Sequence, residues 1–230
     1  HWAPADYMWY IEACKSRPQF TPNETGFHDV NHFIRLLPHK YSGYQSIPDF
    51  VKMTIKGSST DLKTPLDVAD ILHAHSDKAF AILETFDARK SRELKATLHD
   101  IKTMALLGKY YAFKIAGSAQ LALYRESKDK IYQEAAISEL EKALNAWKVY
   151  TEHALQQNIN PVWTNRVGHV DWKKTIAWVE QDIAIANQAL NALNDSTVTL
   201  ENEKVSLEVE LRGGQFVDIH LKRNPINPLT

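Results

Sequence analysis

Residues 91–124 read SRELKATLHDIKTMALLGKYYAFKIAGSAQLALY, and this stretch decides the fold. Leu94, Leu98, Ile101, Ala105, Gly108, Ala112, Ile115, Ala119 and Ala122 follow one another at alternating spacings of four and three. That rhythm keeps them on one face of an α-helix. From Ala105 onward every member except Ile115 is small, so a neighbouring backbone can come close. The other side carries Leu106, Tyr110, Phe113, Leu121 and Tyr124. A helix that is apolar on most of its sides belongs in the middle of a helical assembly.

Three further helices are expected around it. Thr64-Pro65-Leu66-Asp67 opens the first, with a capping threonine, a proline suited to the first turn and an acid near the positive dipole end. It is expected to reach about Phe86, with Val68, Leu72, Ala79, Leu83 and Phe86 facing inward. Another helix, about residues 130–157, aligns Ile137, Leu140, Leu144, Trp147 and Leu155, while Glu139, Glu141, Lys142, Lys148 and Glu152 form a solvated face. The last follows a loop containing Pro161, with Asp171 as cap and Trp172, Ile176, Val179, Ile183, Ala186, Leu190 and Leu193 on its apolar stripe. Four such stripes specify a mainly α protein, an up-down bundle of about four long helices over residues 64–194.

The flanks differ in texture. Residues 1–63 are aromatic and proline-rich, with Pro4, Pro18, Pro22, Pro38 and Pro48 placed so that no long helix fits, although there is room for short helices, notably around Asp29 to Leu37. This irregular segment is read as the possible end of a preceding barrel domain. In residues 195–230 the period changes to two. Val205, Leu207, Val209 and Leu211 alternate with polar residues, Gly213-Gly214 turn the chain, and Val217, Ile219 and Leu221 continue, which spells a small β-hairpin.

The 230 residues carry 27 Lys+Arg against 28 Asp+Glu, a formal charge of -1. Such a balance lacks the attraction that nucleic acid or an anionic membrane would exploit, so no nucleic-acid partner is expected. No uninterrupted apolar window is long enough for a membrane span; the nearest, Met104 to Tyr124, is broken by Lys109, Lys114 and Gln120. Cys14 is the only cysteine, which rules out an intramolecular disulfide and a thiolate metal cluster. The sequence begins with His1 and an aromatic run, and is read as a piece of a longer chain.

Candidate chemistry is sparse. Asp6 and Glu12 lie among Trp2, Tyr7, Trp9 and Tyr10, and carboxylates beside aromatic rings suit a sugar, whose C–H faces stack while its hydroxyls hydrogen-bond. Glycoside hydrolysis also uses paired carboxylates. Glu12 is the candidate catalytic residue, and Trp2, Tyr7 and Trp9 are candidate substrate-binding residues; the bland alternative is that the aromatics pack the segment onto its neighbours. Trp163, Arg166 and His169, in the loop before Trp172, form a second candidate binding group. There Asp171 as cap and Trp172 as core are the ordinary readings. His28 and His32 have the spacing of a two-histidine zinc motif but lack the glutamate and a third ligand. His73 and His75, two apart, cannot converge on one ion from a helix. No metal and no cofactor are expected, and no phosphate-binding loop or Gly-x-Ser-x-Gly elbow is present.

The stretches Thr64-Pro-Leu-Asp-Val-Ala-Asp, Leu107-Gly-Lys-Tyr-Tyr-Ala-Phe-Lys-Ile-Ala-Gly, Leu140-Glu-Lys-Ala-Leu-Asn-Ala-Trp and Gly168-His-Val-Asp-Trp resemble the C-terminal helical region of large glycoside-hydrolase-like, carbohydrate-binding multidomain proteins of polysaccharide-degrading bacteria. The resemblance covers about residues 60–190. It implies a secreted or periplasmic parent with a catalytic barrel preceding this piece, and a poly- or oligosaccharide and that preceding domain as partners. On this reading the chain is an accessory region of a polysaccharide-degrading protein and is not itself catalytic. The alternative is a non-catalytic helical interaction or scaffolding domain. Ala105 to Tyr111 and Glu139 to Leu144 are similar to pieces of tetratricopeptide repeats, but no second copy occurs at that period.

Overall fold

The structure is a computed structural model that describes residues 27–35, 37–39, 41–87, 91–164, 168–188, 197–201, 205–210 and 215–221. It divides into two units, His1–Asn187 and Gln188–Thr230. In the first unit, helices α1 (Val30–Arg35), α2 (Ile47–Lys56), α3 (Pro65–Leu83), α4 (Arg92–Ser127) and α5 (Lys130–Ala154) precede a short pair of strands, β1 (Val162–Thr164) and β2 (Gly168–Val170), and helix α6 (Trp172–Asn187).

Local signals set the helix ends. Thr64 Oγ1 accepts the Asp67 N–H while the Asp67 carboxylate accepts the Thr64 N–H, so both ends of a capping box are closed. Ser91 accepts from Leu94 N–H, Asp129 from Ile131 N–H and Asp171 from Lys174 N–H. Helix α3 ends at Leu83, so Phe86 lies beyond it and is 52% exposed, not on the inward face. Helix α2 is a short helix of the kind that the proline spacing leaves room for. Pro48 sits in its first turn, where a missing N–H costs nothing, and Ser46 caps it by accepting the Asp49 N–H at 3.1 Å.

Helix α4, about 54 Å long, is the hub: α3, α5, α1 and α2 all pack on it, and α6 packs on α5. Its small residues mark the closest approaches. A Cβ at Gly108 would lie 2.7 Å from Ser76 Oγ of α3, and one at Gly117 would lie 2.8 Å from Leu140 Cγ of α5. Two apolar clusters flank the hub. One joins Tyr110, Ala143, Trp147, Tyr150, Ala154, Trp172 and Val179; the other joins Ile47, Phe50 and Val51 of α2 to Ala119, Ala122 and Leu123. The Glu139–Lys142 ion pair lies on the solvated side of α5.

The second unit holds three antiparallel strands in the order β3 (Thr197–Glu201), β4 (Val205–Glu210) and β5 (Gln215–Leu221). Val205 pairs with Leu221 and Leu207 with Ile219, and the register shifts at Glu208/Val209.

Candidate functional site

The most chemically distinctive arrangement lies where α4 meets α1 and α6. Lys114 is fully buried, and its ammonium donates to the His28 carbonyl and to Tyr110 Oη at 3.1 Å. It also faces Asp182 Oδ2 at 3.1 Å. The rings of Phe27 and Phe33 lie 4.0 and 4.7 Å from the charge, a cation–π box that supplements the ion pair. Asp182, 1% exposed, uses its other oxygen to accept the Val30 N–H at 2.9 Å. One buried pair thus ties three segments together. Burial pushes the Asp182 carboxyl up to about 6, even though Lys114 and the Val30 N–H pull it down.

Next to this knot, His28 and His32 stack with ring centroids 5.0 Å apart. His32 Nδ1 lies 2.9 Å from Asp29 Oδ1. Burial, then His32 and Lys114, lower His28 to about 4. Asp29 is lowered to about 2, because burial, which raises it, is outweighed by the His32 hydrogen bonds and charge. His28 precedes α1 and only His32 is in it, so the two are not a same-face helical pair. Among the described residues no group of three or more His, Cys, Asp or Glu is arranged to hold a metal ion. His73 packs edge-on against Phe113 at 4.4 Å.

A second histidine pair joins α4 to α5. His99 and His153 stack at 3.9 Å, and His153 Nε2 reaches the His99 carbonyl at 3.3 Å. Burial, and then the neighbouring His99, lower His153.

Of the residues singled out in the sequence, Glu12, Trp2, Tyr7, Trp9 and Arg166 lie outside the described residues. Trp163 and His169 are brought together: they are direct cross-strand partners in the β1–β2 pair. The root of that hairpin is fixed to the helices. The Asn160 side chain donates to Asp171 Oδ1 at 3.0 Å and accepts the Trp172 N–H at 2.9 Å. Trp172 is buried, and its indole N–H donates to Tyr150 Oη at 3.0 Å. Burial raises the Asp171 carboxyl, but the Lys174 N–H and the Asn160 amide outweigh it and leave it below the usual carboxylate range. Asp171 and Trp172 therefore do the ordinary work of cap and core.

The sequence reading missed Lys114 and Asp182. A signal was present, because a lysine between Phe113 and Ile115, on the part of a helix that is apolar on most of its sides, has few directions from which to reach water. Chemically the knot holds rather than turns over: both charged groups are closed to solvent and committed to each other.

No protein family and no curated protein matches the chain. One solved structure to which it is similar is that of a GH138 enzyme targeting pectin rhamnogalacturonan II. The likeness has a TM-score of 0.56 at 15% identity and covers 73% of this chain. The chain spans 27% of that enzyme's length. At this identity the likeness is one of helical fold.

Proposed function

We propose that this chain is a helical accessory region of a carbohydrate-active, glycoside-hydrolase-like protein. It acts as an up-down bundle that supports a preceding catalytic barrel, lends aromatic loops to polysaccharide binding and carries a C-terminal hairpin. The observation that supports this reading is the structural likeness over 73% of the chain to 27% of a GH138 enzyme. In the same reading the parent is secreted or periplasmic, Glu12 faces a sugar subsite, and Trp2, Tyr7, Trp9, Trp163, Arg166 and His169 contribute to binding.

Affinity electrophoresis and calorimetry of the chain against plant and algal polysaccharides, pectic fractions included, test the proposal. At least one polysaccharide should retard the folded chain. A folded monomer that no member of the panel retards favours the non-catalytic interaction domain instead. In a parent chain, Glu12→Gln should lower oligosaccharide turnover, and unchanged turnover removes Glu12 from the site.

A further inference from the structure

Where α4 is least buried, two histidines join it to α5. His99 of α4 and His153, in the last turn of α5, stack with ring centroids 3.9 Å apart and planes 19° from parallel. His153 Nε2 lies 3.3 Å from the His99 carbonyl. A carbonyl can only accept, so Nε2 carries the hydrogen in that bond. On the other ring, Nδ1 lies 3.5 Å from Thr103 Oγ1, and the Thr103 hydroxyl gives its own hydrogen to the His99 carbonyl at 2.8 Å. Nδ1 of His99 is therefore the donor, and Nε2 is the bare nitrogen.

Both rings are thus set up as neutral imidazoles, and their surroundings oppose a further proton on either. His99 Nε2 is closed to solvent and has no hydrogen-bond partner among the described residues. A proton there would place a charged N–H where nothing accepts it, which is costly in a buried spot. A proton on His153 would meet like charge. Of the helices packed on α5, α4 supplies His99 and Lys102, which both act against it, and α6 supplies no charge that acts on it. No carboxylate among the described residues acts on His153. Burial, and after it His99, hold this imidazole below its ordinary value and outweigh the His99 carbonyl, which pulls the other way. Two phenyl rings would pack the same crossing at any pH; two imidazoles make it conditional on their staying neutral.

We infer that the stack of His99 on His153 is a proton-operated clasp, which holds the first half of α4 on the last turn of α5 while both rings are neutral and lets go as they charge. Once apart, the rings reach water and take up protons, so acid draws the equilibrium toward the open form below the ordinary histidine value of 6.5. The opening is local. Arg92 to Met104 contains no buried residue, so this half can lift without unpacking the core. On the other side of the clasp α5 stays in place, because Tyr150 and Ala154, which flank His153, belong to the apolar cluster around Trp147. The clasp does not depend on the carbohydrate reading and stands or falls apart from it.

Hydrogen exchange of the whole chain tests the clasp, followed by mass spectrometry at about pH 7.5 and about pH 5 and corrected for the intrinsic rate at each pH. From the higher to the lower pH, protection of the amides from Arg92 to Thr103 should fall about fivefold relative to those from Ala112 to Tyr124. Repulsion between two unit charges about 4 Å apart in a water-like medium amounts to that factor. An unchanged ratio overturns the clasp, whether neither half responds or both open together, and this comparison needs no variant. His153→Phe keeps a stacking ring that cannot charge, and His153→Gln keeps an N–H for the His99 carbonyl. In whichever of them folds, the acid-linked fall should be lost. A folded variant that keeps the fall in full shows that the protons act elsewhere, and the clasp is then overturned.

Discussion

The two halves of helix α4 share one backbone and lead different lives. From Arg92 to Met104 no residue is buried; from Ala105 to Tyr124 eleven are, including Lys114. The first half leaves Ile101 at 40% and Met104 at 52% exposure. The second half receives α1, α2 and α6 side chains, Leu140 of α5 at Gly117, and the buried charge pair. A single helix thus serves as an anchor at one end and, at the other, as a more exposed strut that meets α5 through His99. Uniform helix propensity along a sequence therefore says little about where a helix resists change; what packs on it decides.

The largest effect should come from splitting the ion pair in the anchor half. Lys114→Met leaves Asp182 buried beside apolar rings, which costs about 3–5 kcal/mol near neutral pH. Urea unfolding measures it, and the loss should shrink toward pH 5. A lone buried carboxyl has a folded pKa above its unfolded 3.8, so the folded state is favoured as pH falls and it takes up a proton. The double variant Lys114→Met with Asp182→Leu should recover most of the loss. If Lys114→Met alone unfolds like wild type, the anchor half does not depend on its charge knot.

Gly117→Ala comes next. The added Cβ meets Leu140 Cγ and Cδ2 at 2.8 and 2.9 Å and the Ala136 carbonyl at 3.4 Å, and overpacking against another helix costs about 1–3 kcal/mol. The gain in helix propensity offsets up to about 1 kcal/mol of that. Gly108→Ala meets only Ser76 Oγ within 4 Å, one short side chain that can turn, so thermal melts should rank it as milder. Equal losses would mean that the two helix crossings are equally tight.

The halves should also answer acid differently. In the anchor half, His28 is lowered from 6.5 to about 4, so the unfolded chain binds the proton first and stability is lost as pH falls through that window. Asp182, raised from 3.8 to about 6, does the reverse: the folded chain takes up the proton and stability is gained as pH falls from 6 to 3.8. The two slopes oppose each other between about pH 4 and 6, and Asp29, lowered from 3.8 to about 2, then removes stability below 3.8. Asp182→Asn leaves the His28 slope unopposed, so pH-dependent melts of that variant should fall between pH 6.5 and 4 more steeply than those of wild type. Against the strut half, His153 of α5, lowered chiefly by burial, pulls one way only, toward loss of stability as pH drops below 6.5. His153→Gln should flatten that slope, and an unchanged profile would remove the histidine stack as its source.

How much of this could be read from sequence follows from how local each cause is. Thr64 and Asp171 cap helices through atoms three residues away, so their residue types announce them. The same local grammar marks Ser46-Ile47-Pro48-Asp49, where proline stands in the first turn of a helix behind a capping serine. Phe86 kept the helical spacing, and spacing alone cannot show that the helix stops at Leu83. The Lys114–Asp182 pair joins helices far apart in the chain, and no periodicity encodes which carboxylate meets which ammonium. For the candidate site, sequence named Trp163 and His169 by composition, while their pairing depends on hairpin register.

The smallest effect sharpens the comparison most. Met104→Gln and Ile101→Ala replace apolar side chains that are 52% and 40% exposed in the strut half. Substitutions at surface positions that fill no cavity and break no cap stay within about 0.5 kcal/mol, so thermal melts should scarcely move. Leu121→Ala on the same helix removes a side chain with no exposure and should cost about 2–5 kcal/mol. A gap between these values means that helix α4 is anchored mainly by its second half, while the first half is held more lightly, through the stack of His99 on His153 of α5. A Met104→Gln cost approaching that of Leu121→Ala would mean that something covers the strut, and the division of the helix into anchor and strut would then be wrong.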